Sequence, residues 1–458
     1  MGYLPNADDD RIQMLRSIGA SSVDELFASV PRSVRAVDLD LPEPLGEQAL
    51  AAVVGELAAL NRPLSAYDSF LGAGVYQRYI PAIVRATVAR PEFYTAYTPY
   101  QAEASQGTLQ SIFEFQSMIC SLTDLEVANA SLYDGATAAA EAVLLAIAHT
   151  DRHRVAVSAG VNPETLRVVE TYCRGRGVEI DMMETAGGVT VSDSARSMVD
   201  ERHAAFLVAQ PSFHGCVESL HPLAGAAHDA GALAVCAVDP FAAATLVPPG
   251  AAGFDIAVGD VQPLGIPPSF GGPHAGFMAL RTSLIRRLPG RLVGITRDAA
   301  GRRAFTLTLQ TREQHIRRER ATSNICTNHA LMALAATVYM AVMGGGGLRC
   351  IAAISSERAH RLADQLTALP GFELAFPSSI HLWEFVIRCP GDATVIAAAL
   401  RARGIIGGLP LTGALADCLL VCCTEMTTEA AIDRYVSAAR QVAAAHAAVA
   451  QPVTPSAP

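Results

Sequence analysis

Leu233-Ala234-Val235-Cys236-Ala237-Val238 is an unbroken apolar run of strand length. It stands in a series with Val155-Ala156-Val157-Ser158, Val178-Glu179-Ile180, Phe206-Leu207-Val208-Ala209 and Ile256-Ala257-Val258-Gly259. A strand buried on both faces loses the polar–apolar alternation of a half-exposed one, and helix-length stretches between such strands supply the crossovers that parallel pairing requires. From about Ala128 onward the pattern therefore predicts an α/β fold, a mostly parallel sheet covered by helices.

Upstream, residues 7 to about 63 read as a helical arm, with a cap at Ser21-Ser22 before Val23-Asp24-Glu25-Leu26-Phe27 and an Ala/Leu-rich helix over 46–61. Downstream, a long apolar helix starts near Asn328 and is ended or bent by the glycine run 344–347. His381-Leu382-Trp383-Glu384-Phe385-Val386-Ile387 and Cys418-Leu419-Leu420-Val421-Cys422 then read as strands of a smaller α+β unit. Its last helix has Thr427 as cap and an apolar face at Ile432, Tyr435, Val436, Ala439 and Val442. The expected division is an arm at 1–63, a large domain at 64–330, a small domain at 331–447 and a disordered Pro/Ala/Ser tail at 448–458.

A hydrophobic share of 51% over 458 residues gives material for a large core. Charged residues are only 17% and the net charge is −10, which argues against the basic footprint of a nucleic-acid binder. The first ten residues carry neither a basic start nor an apolar run, and no stretch reads as the roughly 18 apolar residues of a membrane span, so the chain is expected to be cytoplasmic with no membrane partner. Ten cysteines lie scattered among apolar neighbours without paired metal spacing, and the histidines lack a pattern such as HExxH, so no metal is expected.

One absence outweighs these bulk properties: the sequence has no lysine, and all 34 basic residues are arginine. A coding bias toward Arg and Ala is the plain explanation, but the chemical consequence holds whatever the cause. Arginine keeps its proton and forms no Schiff base, whereas lysine can do so.

Several motifs invite function, each beside a plainer reading. The cluster Phe93-Tyr94-Thr95-Ala96-Tyr97-Thr98-Pro99-Tyr100-Gln101-Ala102-Glu103-Ala104-Ser105-Gln106-Gly107 offers enough hydroxyls to line a polar tunnel, and equally reads as a packed loop. Ser131-Leu132-Tyr133-Asp134-Gly135-Ala136-Thr137 opens an Ala-rich helix whose free amides favour an anion, although a helix cap is the commoner role. Asp239, at a strand end, suits either a cationic ring nitrogen or the cap of a turn. Leu71-Gly72-Ala73-Gly74 is no dinucleotide loop, since no strand precedes it and no βαβ unit surrounds it. The stretch 312–320 is rich in arginine but interrupted by acids, and reads as a solvated or subunit-contact helix. Ser212-Phe213-His214-Gly215 lacks the frame of a nucleophile elbow.

Taken together, the segments resemble the P-protein family of the glycine cleavage system, in its split, two-chain form. The resemblance runs nearly end to end. It rests on Phe70-Leu71-Gly72-Ala73-Gly74, Tyr79-Ile80-Pro81, the 94–107 cluster, Val127-Ala128-Asn129-Ala130-Ser131-Leu132-Tyr133-Asp134-Gly135, Gln262-Pro263-Leu264-Gly265 and Phe270-Gly271-Gly272-Pro273-His274. It continues through Pro289-Gly290-Arg291-Leu292-Val293-Gly294, the stretch 309–318, and Ala321-Thr322-Ser323-Asn324-Ile325-Cys326-Thr327-Asn328.

The resemblance implies the aspartate-aminotransferase-like fold of pyridoxal-phosphate enzymes (fold type I). The family's catalytic half carries a cofactor-binding lysine in a His-Lys pair, and here that pair reads Gln262-Pro263, so Pro263 occupies the lysine slot. The cofactor is then held covalently by a lysine-bearing partner subunit in an α2β2 assembly. Glycine is the substrate, pyridoxal phosphate takes up the electrons released as carbon dioxide leaves, and the lipoyl arm of the H-protein receives the aminomethyl group. Asp134, Gly135, Ala136, Thr137 and Asp239 occupy the positions of a vestigial cofactor pocket. Tyr94, Thr95, Tyr97, Thr98, Tyr100, Gln101, Glu103 and Gln106 are the candidates for a shared active site or lipoyl channel, and no residue of this chain is assigned a catalytic step. The rival expectations are a structural or regulatory pseudoenzyme that only stabilises its partner, and an autonomous pyridoxal-phosphate enzyme, against which the missing lysine argues.

Overall fold

In the computed structural model, which describes residues 6–35 and 40–450, the apolar runs assemble into one seven-stranded sheet. Its strands are β1 (Val127–Ala128), β2 (Arg154–Ser158), β3 (Glu179–Met183), β4 (His203–Gln210), β5 (Leu233–Val238), β6 (Ile256–Asp260) and β7 (Gly276–Leu280), in the spatial order β1-β7-β6-β5-β4-β2-β3. Strands β3, β2, β4, β5 and β6 are parallel. β7 runs antiparallel to both β6 and β1. Every residue of β4 is buried, as a run without alternation requires.

On one face lies the helix Gly135–Thr150, whose Ala138, Ala139, Ala140 and Ala142 are fully buried and let its backbone approach the strands closely. The other face is covered by Gln106–Thr123, Pro240–Thr245 and the first part of Ala330–Thr367, which share a core with Phe206, Phe241, Phe277 and Tyr339.

That last helix departs from expectation. It is long and apolar enough to cross a membrane by length and composition, although the sequence reading found no such stretch. Its burial against Gln106–Thr123 and Pro240–Thr245, and its break at Gly344 (φ 60°, ψ 172°), make it the spine of this core. The break falls where the glycine run predicts a bend.

Within the unit Leu64–Pro458, the stretch expected as a small domain forms a four-stranded antiparallel sheet of Glu373–Leu374, Glu384–Arg388, Cys418–Cys422 and Leu409–Pro410, packed on Ala393–Arg401 and Glu429–Ala450. The expected apolar face of the final helix is buried there. Its cap is Thr428, which accepts from Ala431 N–H at 3.2 Å; Thr427 instead accepts from Thr424 N–H at 3.0 Å. The helix runs to Ala450, past the tail boundary expected at 448, because Ala-rich chain can extend a helix without a core; 451–458 lie outside the described residues. Asp68–Ser69 pair in parallel with Ile405–Ile406, and the Phe70 ring lies 4.7 Å from that of Tyr435, so this segment packs on the elements that follow residue 400. Two strand residues carry no readable period.

Met1–Pro63 forms a separate unit. Its described helices, Asp8–Ser17, Val23–Leu26 and Glu47–Ala59, have no buried residue; Ser22 caps the second by accepting from Glu25 N–H. Residues 36–39 of the expected arm lie outside the described residues.

Candidate functional site

At the carboxyl ends of β4, β5 and β6 a cavity of about 540 Å³ opens, where ligands of α/β sheets bind. Strand ends deliver Gln210, Asp239 and Asp260 to it, the start of helix Gly135–Thr150 delivers Asp134, Gly135 and Ala136, and Glu384 enters from the small domain.

Each acid there already has donors. Asp239 caps Pro240–Thr245, accepting from Phe241 N–H at 2.7 Å and Ala242 N–H at 3.2 Å. Burial raises its pKa, opposed by the charge of Arg78. Asp134 caps its own helix, accepting from Thr137 N–H at 2.7 Å. Asp260 accepts from Gly135 N–H at 3.0 Å and Gln262 N–H at 2.8 Å, and lies 3.0 Å from His274 Nδ1, whose pKa this contact raises. For both Asp134 and Asp239 the plainer, capping role is thus the one the geometry displays.

Glu384 is the chemically loaded member. It accepts from Tyr76 Oη–H and Ala73 N–H, both at 2.6 Å, and burial pushes its carboxyl up to about 7. A Cβ on Gly72 would collide with this carboxylate, which gives Leu71-Gly72-Ala73-Gly74 its physical reason. The short strand Asp68–Ser69 does precede that turn, contrary to expectation, but it pairs with Ile405–Ile406 and opens no βαβ unit. Gln262 ties the turn down from the other side, donating to Tyr76 O at 3.0 Å and Ile266 O at 2.8 Å while accepting from Tyr76 N–H at 2.9 Å. Arg78 pairs with Glu425 at 2.8 Å and lies 4.1 Å over the Phe241 ring.

The pocket was thus only partly foreseen. Glu384, Asp260, His274 and Tyr76 were not singled out. A lone acid inside the apolar run 382–387 was the available signal for Glu384, and for Asp260 it was an acid directly after a buried strand.

Pyridoxal phosphate, which the resemblance implies for the complex, does not fit this chain's own cavity as a covalent cofactor. Pro263 lines the cavity, the chain has no lysine, and the lining holds no arginine for a phosphate. Among the described residues no cluster of three or more His, Cys, Asp or Glu side chains is placed to hold a metal.

None of the tyrosine-cluster residues lines the cavity. Pro91–Tyr94 makes one helical turn, and Thr95 closes it by donating to Pro91 O at 2.7 Å. Tyr94, Tyr97 and Tyr100 are 69%, 88% and 53% exposed; Gln101 and Glu103 are exposed too, and Thr98 is half-buried. Tyr100 lies 5.7 Å from the guanidinium of buried Arg291. Gln106 is engaged by the hairpin Val293–Arg297/Arg303–Leu307: its amide donates to Phe305 O at 2.8 Å and accepts from Phe305 N–H at 2.9 Å. In the arginine-rich stretch, Arg312 is half-buried and donates to Gly290 O, while residues 314–320 are exposed.

The sequence profile described as "Glycine cleavage system P-protein" matches residues 1–438. A "Probable glycine dehydrogenase (decarboxylating) subunit 1" of Chlorobium limicola is 46% identical over 442 residues, covering 96% of this chain and 99% of the relative. The same description applies to a Thermomicrobium roseum protein, 47% identical over 451 residues, with 97% and 100% covered. A crystal structure of glycine decarboxylase (P-protein) of the glycine cleavage system, in inhibitor-bound form, superposes with a TM-score of 0.90 at 45% identity, covering 96% of this chain and 100% of that one. A NifS-like protein shares the fold alone, with a TM-score of 0.62 at 11% identity over 82% of this chain and 99% of its own. Profile, full-length relatives and backbone agree, and the chain belongs to the glycine cleavage system P-protein family.

Proposed function

We propose that this chain is the non-lysine subunit of a two-chain glycine dehydrogenase (decarboxylating). With a lysine-bearing subunit 2 in an α2β2 assembly, it decarboxylates glycine and passes the aminomethyl group to the lipoyl arm of the H-protein. The observation that carries this is an end-to-end match to relatives described as subunit 1 in a chain with no lysine; the resemblance sets Pro263 at the lysine slot. The expected compartment is the cytoplasm.

The pyridoxal phosphate held covalently by the partner supplies the electron sink for decarboxylation. What falls to this chain is orientation, exclusion of water and a wall for the lipoyl arm. Tyr94, Thr95, Tyr97, Thr98, Tyr100, Gln101 and Glu103 are the groups proposed for that wall, with Gln106 fixing the loop to the hairpin. The exposure of Tyr94 and Tyr97 supports this, because their hydroxyls are open to a partner.

The test is co-expression with the lysine-bearing subunit and measurement of glycine decarboxylation by each chain alone and by both. Turnover is expected from the pair only, and activity of this chain by itself refutes the proposal. Tyr97→Ala and Glu103→Ala in the reconstituted complex separate a site-completing subunit from a scaffold. Unchanged turnover with intact assembly would favour the scaffold.

A further inference from the structure

We infer that Asp260 stands in for a phosphate at the start of helix Gly135–Thr150, and that this chain's own cavity is thereby closed to phosphate-bearing ligands. The inference concerns the cavity of the chain itself and does not depend on what the partner holds.

A helix of 16 residues whose first turn faces a cavity is suited to seat an anion wherever its leading amides lack partners, because the macrodipole places positive charge there. Here the amides are already taken. Gly135 N–H donates to Asp260 Oδ2 at 3.0 Å, Thr137 N–H to Asp134 Oδ1 at 2.7 Å, and Ala138 N–H to Asp134 O at 3.0 Å. Of the first-turn amides only that of Ala136 is left by these bonds.

Asp260 is held in place at the end of β6. Its other oxygen accepts from Gln262 N–H at 2.8 Å, and His274 Nδ1 lies 3.0 Å from the oxygen that meets the helix. The approach is close: a Cβ built on Gly135 would lie 3.1 Å from the Asp260 Cβ. A carboxylate on a strand end therefore supplies the charge-assisted bond that a ligand phosphate would make.

The remainder of the lining reinforces the exclusion. Asp134, Asp239, Asp260 and Glu384 face the cavity and no arginine does, although the chain has 34 basic residues. A phosphate dianion entering would lose its hydration and meet carboxylates, and against them the lining sets no arginine; its His274 is already engaged by Asp260 at 3.0 Å.

The full chain suits a direct test, because without lysine it offers no side-chain amine to trap an aldehyde. Equilibrium dialysis with pyridoxal phosphate, and with pyridoxal as the phosphate-free control, is read alongside quenching of Trp383, the only tryptophan, which stacks 6.5 Å from Phe241. The wild-type chain is expected to bind pyridoxal phosphate no better than pyridoxal. Asp260→Ser should tighten pyridoxal phosphate by about ten-fold or more and leave pyridoxal unchanged, the scale of one charge-assisted hydrogen bond.

Saturable wild-type binding that strongly prefers the phosphate form overturns the inference. So does a folded Asp260→Ser chain, checked by circular dichroism, that gains nothing. Should that variant fail to fold, the isosteric Asp260→Asn decides by the same criterion, with a gain supporting the inference and no gain overturning it.

Discussion

The cavity at the strand ends and the tyrosine loop at 94–106 are opposites in one respect. In the cavity Asp134, Asp239, Asp260 and Glu384 already accept hydrogen bonds from the chain's own donors. On the loop, Tyr94, Tyr97 and Glu103 stand exposed. The concave place has its polar groups engaged internally, and the convex place keeps them available. Under the proposed function, concavity alone would point to the wrong part of this chain. Counting which donors and acceptors remain unengaged distinguishes a pocket whose polar groups are satisfied internally from a surface that keeps them open to a partner.

The sharpest way to break that comparison is turnover in the reconstituted complex. Tyr97→Ala or Glu103→Ala is expected to lower glycine decarboxylation about 100-fold, the usual scale for a misplaced positioning or proton-handling group. Asp239→Asn, which keeps a capping side chain, should change the rate by no more than about two-fold. Equal losses at both places would erase the distinction.

Next in size is a pH effect confined to the cavity. Glu384 holds its proton up to about 7 in the fold, against 4.5 ordinarily, so between those values the native state binds more protons than the unfolded chain. Its contribution to stability is therefore full below pH 4.5 and falls as pH rises toward 7. Glu384→Gln should remove this part of the fall and raise stability at pH 8 by about 1–3 kcal/mol, with no such gain at pH 4, in urea titrations. Glu218, likewise pushed up to about 7 by burial, adds a separate share that this variant leaves in place.

The loop is not uniform, and stability measurements should divide it. Gln106→Ala leaves both backbone groups of Phe305 without this partner and is expected to cost about 2 kcal/mol. Tyr97→Ala, at an exposed position, should stay within about 0.5 kcal/mol. At the helix start the expected effect is intermediate: Asp134→Ala should lose about 1 kcal/mol of capping, largely restored by Asp134→Ser.

The sequence made the five parallel strands legible, because burial on both faces leaves continuous apolar runs. The antiparallel β7 was not read as a strand, although Gly276-Phe277-Met278-Ala279-Leu280 is as apolar as its neighbours, and composition carries no strand direction in any case. The hairpin Val293–Arg297/Arg303–Leu307 was also missed, as one face of it is exposed and its pattern is weak. At the cavity, Asp134 and Asp239 were found because each sits at an element boundary. Glu384 and Tyr76 were not, because 308 residues of chain separate partners that only the tertiary fold brings together.

Gly344 carries one more consequence. A straight helix of 38 residues would project about 57 Å, farther than one domain of this size can cover. The positive-φ residue breaks that rod: the part before it and Leu348, Ile351 and Ala352 just after it pack in the core of the seven-stranded sheet, and Ala359, Leu362, Ala363 and Leu366 pack in the core of the smaller sheet. A Cβ there would meet nothing within 4 Å, so the requirement is one of dihedral angle and not of space. A single backbone joint thus sets how the two sheets are mounted on their shared axle, and rigidifying it with alanine would re-aim one of them without touching a single side-chain contact at the joint.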